Sequence, residues 1–90
     1  MVNIIENYAY AEGIVRSIKQ HDKLPGYHQI ELELQGSKSI GSFPNLAKAD
    51  EGKTILVNIK NEDLERKKIQ VDQPFSSEIR KASPHVYFMK

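Results

Sequence analysis

No cysteine occurs in the 90 residues, and that absence removes disulfides, thiolate zinc sites and cysteine nucleophiles together. Neither sign of charge dominates: thirteen Lys and Arg face twelve Asp and Glu, for a net charge of +1. The polyelectrolyte signature of an obligate nucleic-acid or membrane-surface binder is therefore missing. Uninterrupted apolar runs last only a few residues, too short to span a bilayer or to form a signal-peptide core. The chain is accordingly expected to be cytoplasmic, with no membrane partner. Internal repeats, low-complexity tracts and linker-like stretches are absent as well. What is present is an apolar fraction of 39%, enough for one compact core and no second. Residues 1–90 are expected to form one domain.

Two-residue alternation runs through most of the chain. In Tyr27-His28-Gln29-Ile30-Glu31-Leu32-Glu33-Leu34, Ile30, Leu32 and Leu34 share one face while Gln29, Glu31 and Glu33 share the other. That pattern describes a strand with a dry side and a wet side. Ala9 to Gln20 carries Ile14, Val15 and Ile18 with Gly13 inside it, and a glycine within a long strand marks a bend or bulge. Pro25-Gly26 predicts a turn, and Gly36-Ser37-Lys38 reads as the next one, leading into a strand from Ser39 to Phe43 closed by Pro44. Asn45 to Asp50 predicts a compact connector of one helical turn, with Asn45 able to cap it. In Thr54 to Lys60, Ile55, Val57 and Ile59 point one way and Leu56 and Asn58 the other. Asn61 to Lys68 is a polar excursion that holds a helical turn or a charged loop. Ile69 to Val71 alternates again, and residues 75–89 read as a terminal hairpin turning at Ala82-Ser83-Pro84-His85. The expected fold is all-β: a small five- to six-stranded antiparallel barrel with a short helical turn in a connector.

The glycine-bent strand Gly13-Ile14-Val15-Arg16-Ser17-Ile18, the alternating strand His28 to Leu34 and the start Gly52-Lys53-Thr54-Ile55-Leu56-Val57 together resemble an OB-fold-like barrel over roughly residues 9–80. Within it, Gly13-Ile14-Val15, Gln29 to Leu34, Glu51-Gly52-Lys53 and Val57 to Leu64 are spaced in a way similar to the TOBE/Mop-type domains of molybdate and sugar transport systems. That second resemblance implies binding of a small oxyanion by hydroxyls and backbone amides, and assembly as a homodimer or within a larger complex. Ser42-Phe43-Pro44-Asn45-Leu46 departs from it by lacking paired hydroxyls.

No residue set supplies a nucleophile, a base and an orienting group together, so the expectation is a protein that is not an enzyme. His21, His28 and His85 show no metal-ligand spacing, so neither metal nor cofactor is expected. Gly52-Lys53-Thr54 mimics the end of a phosphate-binding loop, but Ala47 occupies the place of the first glycine.

Charge placement carries the functional expectation. Residues 1–65 hold seven basic and ten acidic side chains, whereas residues 66–90 hold six basic and two acidic. The basic end contains Arg66, Lys67, Lys68, Arg80, Lys81 and Lys90, interleaved with Phe75, Tyr87 and Phe88. Cations for phosphates beside aromatic rings for bases is the composition of a single-strand nucleic-acid groove. The competing reading makes Phe75, Phe88 and Ile79 core residues and the lysines a solvated rim. Tyr8, Tyr10 and Tyr27 form a second aromatic set, with Tyr27 exposed beside Arg16 and Lys19. The expectation is thus a non-catalytic module that binds single-stranded nucleic acid, or a nucleoprotein partner, through Arg16, Lys19, Tyr27, Arg80, Lys81 and Tyr87. The alternatives are a TOBE/Mop-like ligand barrel and a protein-interaction module pairing through an exposed edge at Ser39 to Phe43.

Overall fold

The computed structural model describes residues 7–89; Lys90, counted above with the basic end, lies outside the described residues. Five strands, β1 (Ala9–Gln20), β2 (Tyr27–Ser39), β3 (Thr54–Lys60), β4 (Pro74–Ser83) and β5 (Val86–Met89), close into a barrel in the order β1-β2-β3-β5-β4. A 3-10 turn, Lys48–Asp50, precedes β3, and the helix α1 (Asn61–Arg66) follows it. The fold is all-β with a short helical connector.

A closed ring with an odd number of strands cannot alternate direction all the way round, so one neighbouring pair must run parallel. That pair is β3 with β5; the other ladders are antiparallel. The hairpin of β4 and β5 therefore closes this chain's own barrel. The expected strand from Ser39 to Phe43 does not form: β2 runs through Gly36 and Lys38 to Ser39, and Ile40 to Phe43 make a bend with Phe43 N donating to Ile40 O. Pairing with β1, from Ala9↔Ser39 to Glu12↔Gly36, holds Gly36-Ser37-Lys38 extended where composition alone suggests a turn. The edge proposed there for protein pairing is thus absent. Ile69 to Val71 likewise lies in loop and turn, with Val71 exposed.

Alternation fills the interior. Ile30, Leu32 and Leu34 meet Ile55, Val57 and Ile59, with Val15, Ile79 and Phe75 across the barrel. Burying one such side chain stabilises by about 1.5–3 kcal/mol. On β1 the inward positions are small, Ala9, Ala11 and Gly13. A Cβ on Gly13 would sit 2.2 Å from the backbone oxygen of Glu33, so only glycine allows the two strands to approach this closely. The register shifts opposite Gly13, where Gln35 of β2 is the extra residue, and again at Arg16 of β1, and these two bulges let the paired strands curl around the barrel.

The connectors seal opposite ends of β3. Asn45 Oδ1 accepts from Ala47 N at 3.0 Å, so Asn45 does not cap the 3-10 turn but holds its leading residue Ala47, which has no side-chain cap of its own and joins the core. At the other end Leu64 of α1 and the following Ile69 pack against the core. No helix among the described residues is long and apolar enough to cross a membrane.

Candidate nucleic-acid interface

Register, more than sequence distance, decides which of the expected residues meet. On β1 the bulge leaves Arg16 unpaired and sends Ser17 and Lys19 outward, opposite Glu31 and Gln29 of β2. Continuing across the ladders, Gln29 pairs with Asn58, Asn58 with Phe88, and Phe88 with Arg80. One outward row thus crosses all five strands: Lys19, Gln29, Asn58, Phe88, Arg80. Tyr27 and Lys60, paired with each other, stand one position further along. At about 4.8 Å per strand spacing, the row extends roughly 19 Å.

The aromatic centre of this face is tightly organised. The rings of Tyr27 and Phe88 meet edge to face, 5.9 Å between centroids, and the Arg80 guanidinium lies 5.4 Å from the Phe88 centroid. Phe88 is therefore the wedge between two partners. Tyr27 and the Arg80 plane are the surfaces that remain to receive a flat ring.

Two acidic groups on the same wall have local partners. Glu33 accepts from Arg16 Nε at 2.8 Å, and Glu31 accepts from Ser17 Oγ at 2.7 Å. The hydrogen bond and charge of Glu33, with Asp72 adding to them, hold the Arg16 pKa above its ordinary value, and Asp72 lies 3.6 Å from the guanidinium. Arg16 belongs to an exposed acid–base cluster and its charge is already matched. Lys19, Lys60 and Arg80 enter no ion pair among the described residues.

Tyr87 and Lys81, expected on this face, lie elsewhere. Both fall on the inward side of the β4–β5 hairpin, and Tyr87 is 1% exposed. They serve Asp50 of the 3-10 turn, itself buried at 3%. Tyr87 Oη donates to Asp50 Oδ2 at 2.5 Å, Lys81 Nζ donates to the same oxygen at 3.2 Å, and His85 Nδ1 lies 3.4 Å from Oδ1. Burial works against the Asp50 charge, but the two hydrogen bonds with the attraction of Lys81 and His85 prevail, and its pKa falls below the ordinary value. Burial and the bond to Asp50 push the Tyr87 phenol upward, so it stays a donor. This cluster fastens the β2–β3 connector to the terminal hairpin.

The rest of the basic end disperses. Arg66 pairs with Asp63 at 2.6 Å within α1, Phe75 is core, and Lys67 and Lys68 border an open groove with Pro74, Phe75 and Ser76. In the other aromatic set, Tyr8 packs on Phe43 at 4.8 Å. The histidines have local partners: His21 Nδ1 accepts from Lys23 N and Leu24 N in the β1–β2 turn, and His28 meets Asn61 at 2.6 Å. No metal-holding group exists among the described residues. Gln29, Asn58, Lys60 and Phe88 were absent from the sequence-based site. Their outward parity was readable, whereas the register joining them to Lys19 and Arg80 was not.

The class defined by these features is a closed five-stranded barrel with an aromatic and cationic outer wall. The chain matches no family model, no curated protein and no solved structure.

Proposed function

We propose that this chain is an OB-like, non-catalytic module that holds single-stranded nucleic acid, or a nucleoprotein partner, against the outward wall of β1, β2, β3, β5 and β4. The strand order with a helix between β3 and β4 supports the OB-like reading, in which the wall formed by strands 2 and 3 receives oligonucleotides. The observation that carries it is the outward row from Lys19 to Arg80 with Tyr27 and Lys60 beside it. Lys19, Lys60 and Arg80, in no ion pair among the described residues, contact phosphates, and Tyr27 with the Arg80 plane stacks bases at about 1–3 kcal/mol each. The test is a fluorescence anisotropy titration of labelled oligo-dT at low salt. Affinity in the range of roughly 1–100 μM is expected for such a cation count, and a flat titration to the top of that range ends the reading.

Binding of a small oxyanion is the second reading, and one feature favours it. The groove lined by Lys67, Lys68, Ile69, Pro74, Phe75 and Ser76, about 290 Å³ in volume, combines two cations with a hydroxyl. Calorimetry with molybdate, tungstate and sulfate decides between them: heat with these anions and none with oligonucleotide reverses the ranking.

A further inference from the structure

The outward row contains a neutral step between its cations, and it is not explained by phosphate contact. Asn58 lies on the outward side of β3, between inward-pointing Val57 and Ile59, yet is only 3% exposed. Its Oδ1 accepts from Gln29 Nε2 at 3.0 Å. Gln29 is half-buried and stands between Lys19 on one side and Asn58 and Phe88 on the other. One bond to Asn58 leaves the Gln29 amide with its carbonyl oxygen and its second N–H, an acceptor and a donor.

Resting on the nucleic-acid reading above, we propose that Gln29 is a base-edge contact, positioned by Asn58, that makes binding depend on the bases and tolerate any of them. Unpaired bases offer their Watson–Crick edges to side chains. Each edge carries a neighbouring donor and acceptor: N6–H and N1 of adenine, N4–H and N3 of cytosine, N1–H and O6 of guanine, N3–H and O4 of thymine. A primary amide held in one orientation satisfies all four, the unstacked base turning over to match its donor and acceptor. A carboxylate at the same place has acceptors only, and guanine alone presents two adjacent donors, N1–H and N2–H. The buried Asn58 restricts the rotamers of Gln29, so its amide is held beside the stacking surface of Tyr27 before the strand arrives.

The experiment uses the whole chain with three fluorescent probes: oligo-dT, an abasic strand of equal length and charge, and oligo-dT carrying one central dG. Wild type is expected to bind oligo-dT at least about tenfold more tightly than the abasic strand, the size of one bidentate contact and some stacking. Gln29→Ala should weaken oligo-dT several-fold and leave the abasic strand unchanged. Gln29→Glu should turn indifference between dT and central dG into a preference for dG of about tenfold, a change that loss of a purely structural contact does not produce. Equal binding of oligo-dT by wild type and Gln29→Ala overturns the inference and leaves the nucleic-acid reading standing. Silence with every probe overturns both. Asn58→Ala should reproduce the Gln29→Ala result; if that variant unfolds, the two Gln29 variants alone decide.

Discussion

At the scale of single residues, the most exacting position is Tyr87. Its ring belongs to the core and its hydroxyl to the Asp50 carboxylate, so one side chain joins the hydrophobic interior to the polar clamp on the β2–β3 connector. Tyr87→Phe keeps the ring and removes the shortest of the Asp50 hydrogen bonds, leaving a buried carboxylate short of a donor. A loss of about 1–3 kcal/mol is expected from chemical denaturation. The pH dependence follows from Asp50. Its pKa in the fold lies below the ordinary value of 3.8, so the folded state favours the charged form. The stability this supplies is complete above the unfolded value and disappears as pH falls through the folded one. Wild type should therefore lose stability in acid below about pH 4 more steeply than Tyr87→Phe, in which the Asp50 pKa rises toward its unfolded value. Parallel acid profiles for the two proteins would mean that the clamp has no energetic weight.

At the scale of elements, α1 shows how a short polar helix is stopped and put to use. Lys68 adopts φ 52°, its N–H donates to Glu65 O, and Ile69 N–H donates to Leu64 O. This pair of bonds is the Schellman arrangement, and Leu64 and Ile69, the residues joined by its longer bond, both pack against the core. A lysine in the left-handed region is strained by roughly 1–2 kcal/mol, and glycine removes that strain while costing about 0.5–1 kcal/mol in unfolded-chain entropy. Lys68→Gly should therefore stabilise the barrel by about 0.5 kcal/mol, read as a rise in denaturation midpoint at unchanged slope. Elements of this kind were only partly legible in the sequence. Strand alternation in β2 and β3 was plain because each buries one face, and Gly13 announced its bulge. Gly36-Ser37-Lys38 misled, because its turn-like composition is overridden by pairing with β1, a long-range contact that no local window contains. Tyr87 misled for a related reason: its neighbours are basic, but inward parity on β5 sends its ring to the core, and the carboxylate it serves lies 37 residues away in the chain.

At the scale of the whole molecule, near-neutrality and a cationic wall coexist because several acids are paired locally. Glu33 is paired with Arg16, Asp63 with Arg66 and Asp50 with Lys81, whereas Glu31 keeps its charge under a hydrogen bond from Ser17; among the described residues Lys19, Lys60 and Arg80 enter no ion pair on the wall that carries Tyr27. Net charge counts all of these groups equally and hides the arrangement. The salt dependence of binding counts only the cations that displace counterions, so it separates the two descriptions. Three phosphate contacts on a single strand give a slope of log K against log salt of about −2. Replacing Lys19, Lys60 and Arg80 together with alanine should bring that slope close to zero and weaken oligo-dT binding at low salt. The same number of charges removed at Lys38, Lys48 and Lys53 should leave the slope within its error, although net charge falls equally in both variants. Lys38 already faces Glu12 at 3.9 Å, and Lys48, which opens the 3-10 turn, and Lys53, which follows it, lie at the opposite end of β3 from Lys60. An equal drop in slope for the two triple variants would assign binding to diffuse charge over the surface, and the row from Lys19 to Arg80 would lose its role.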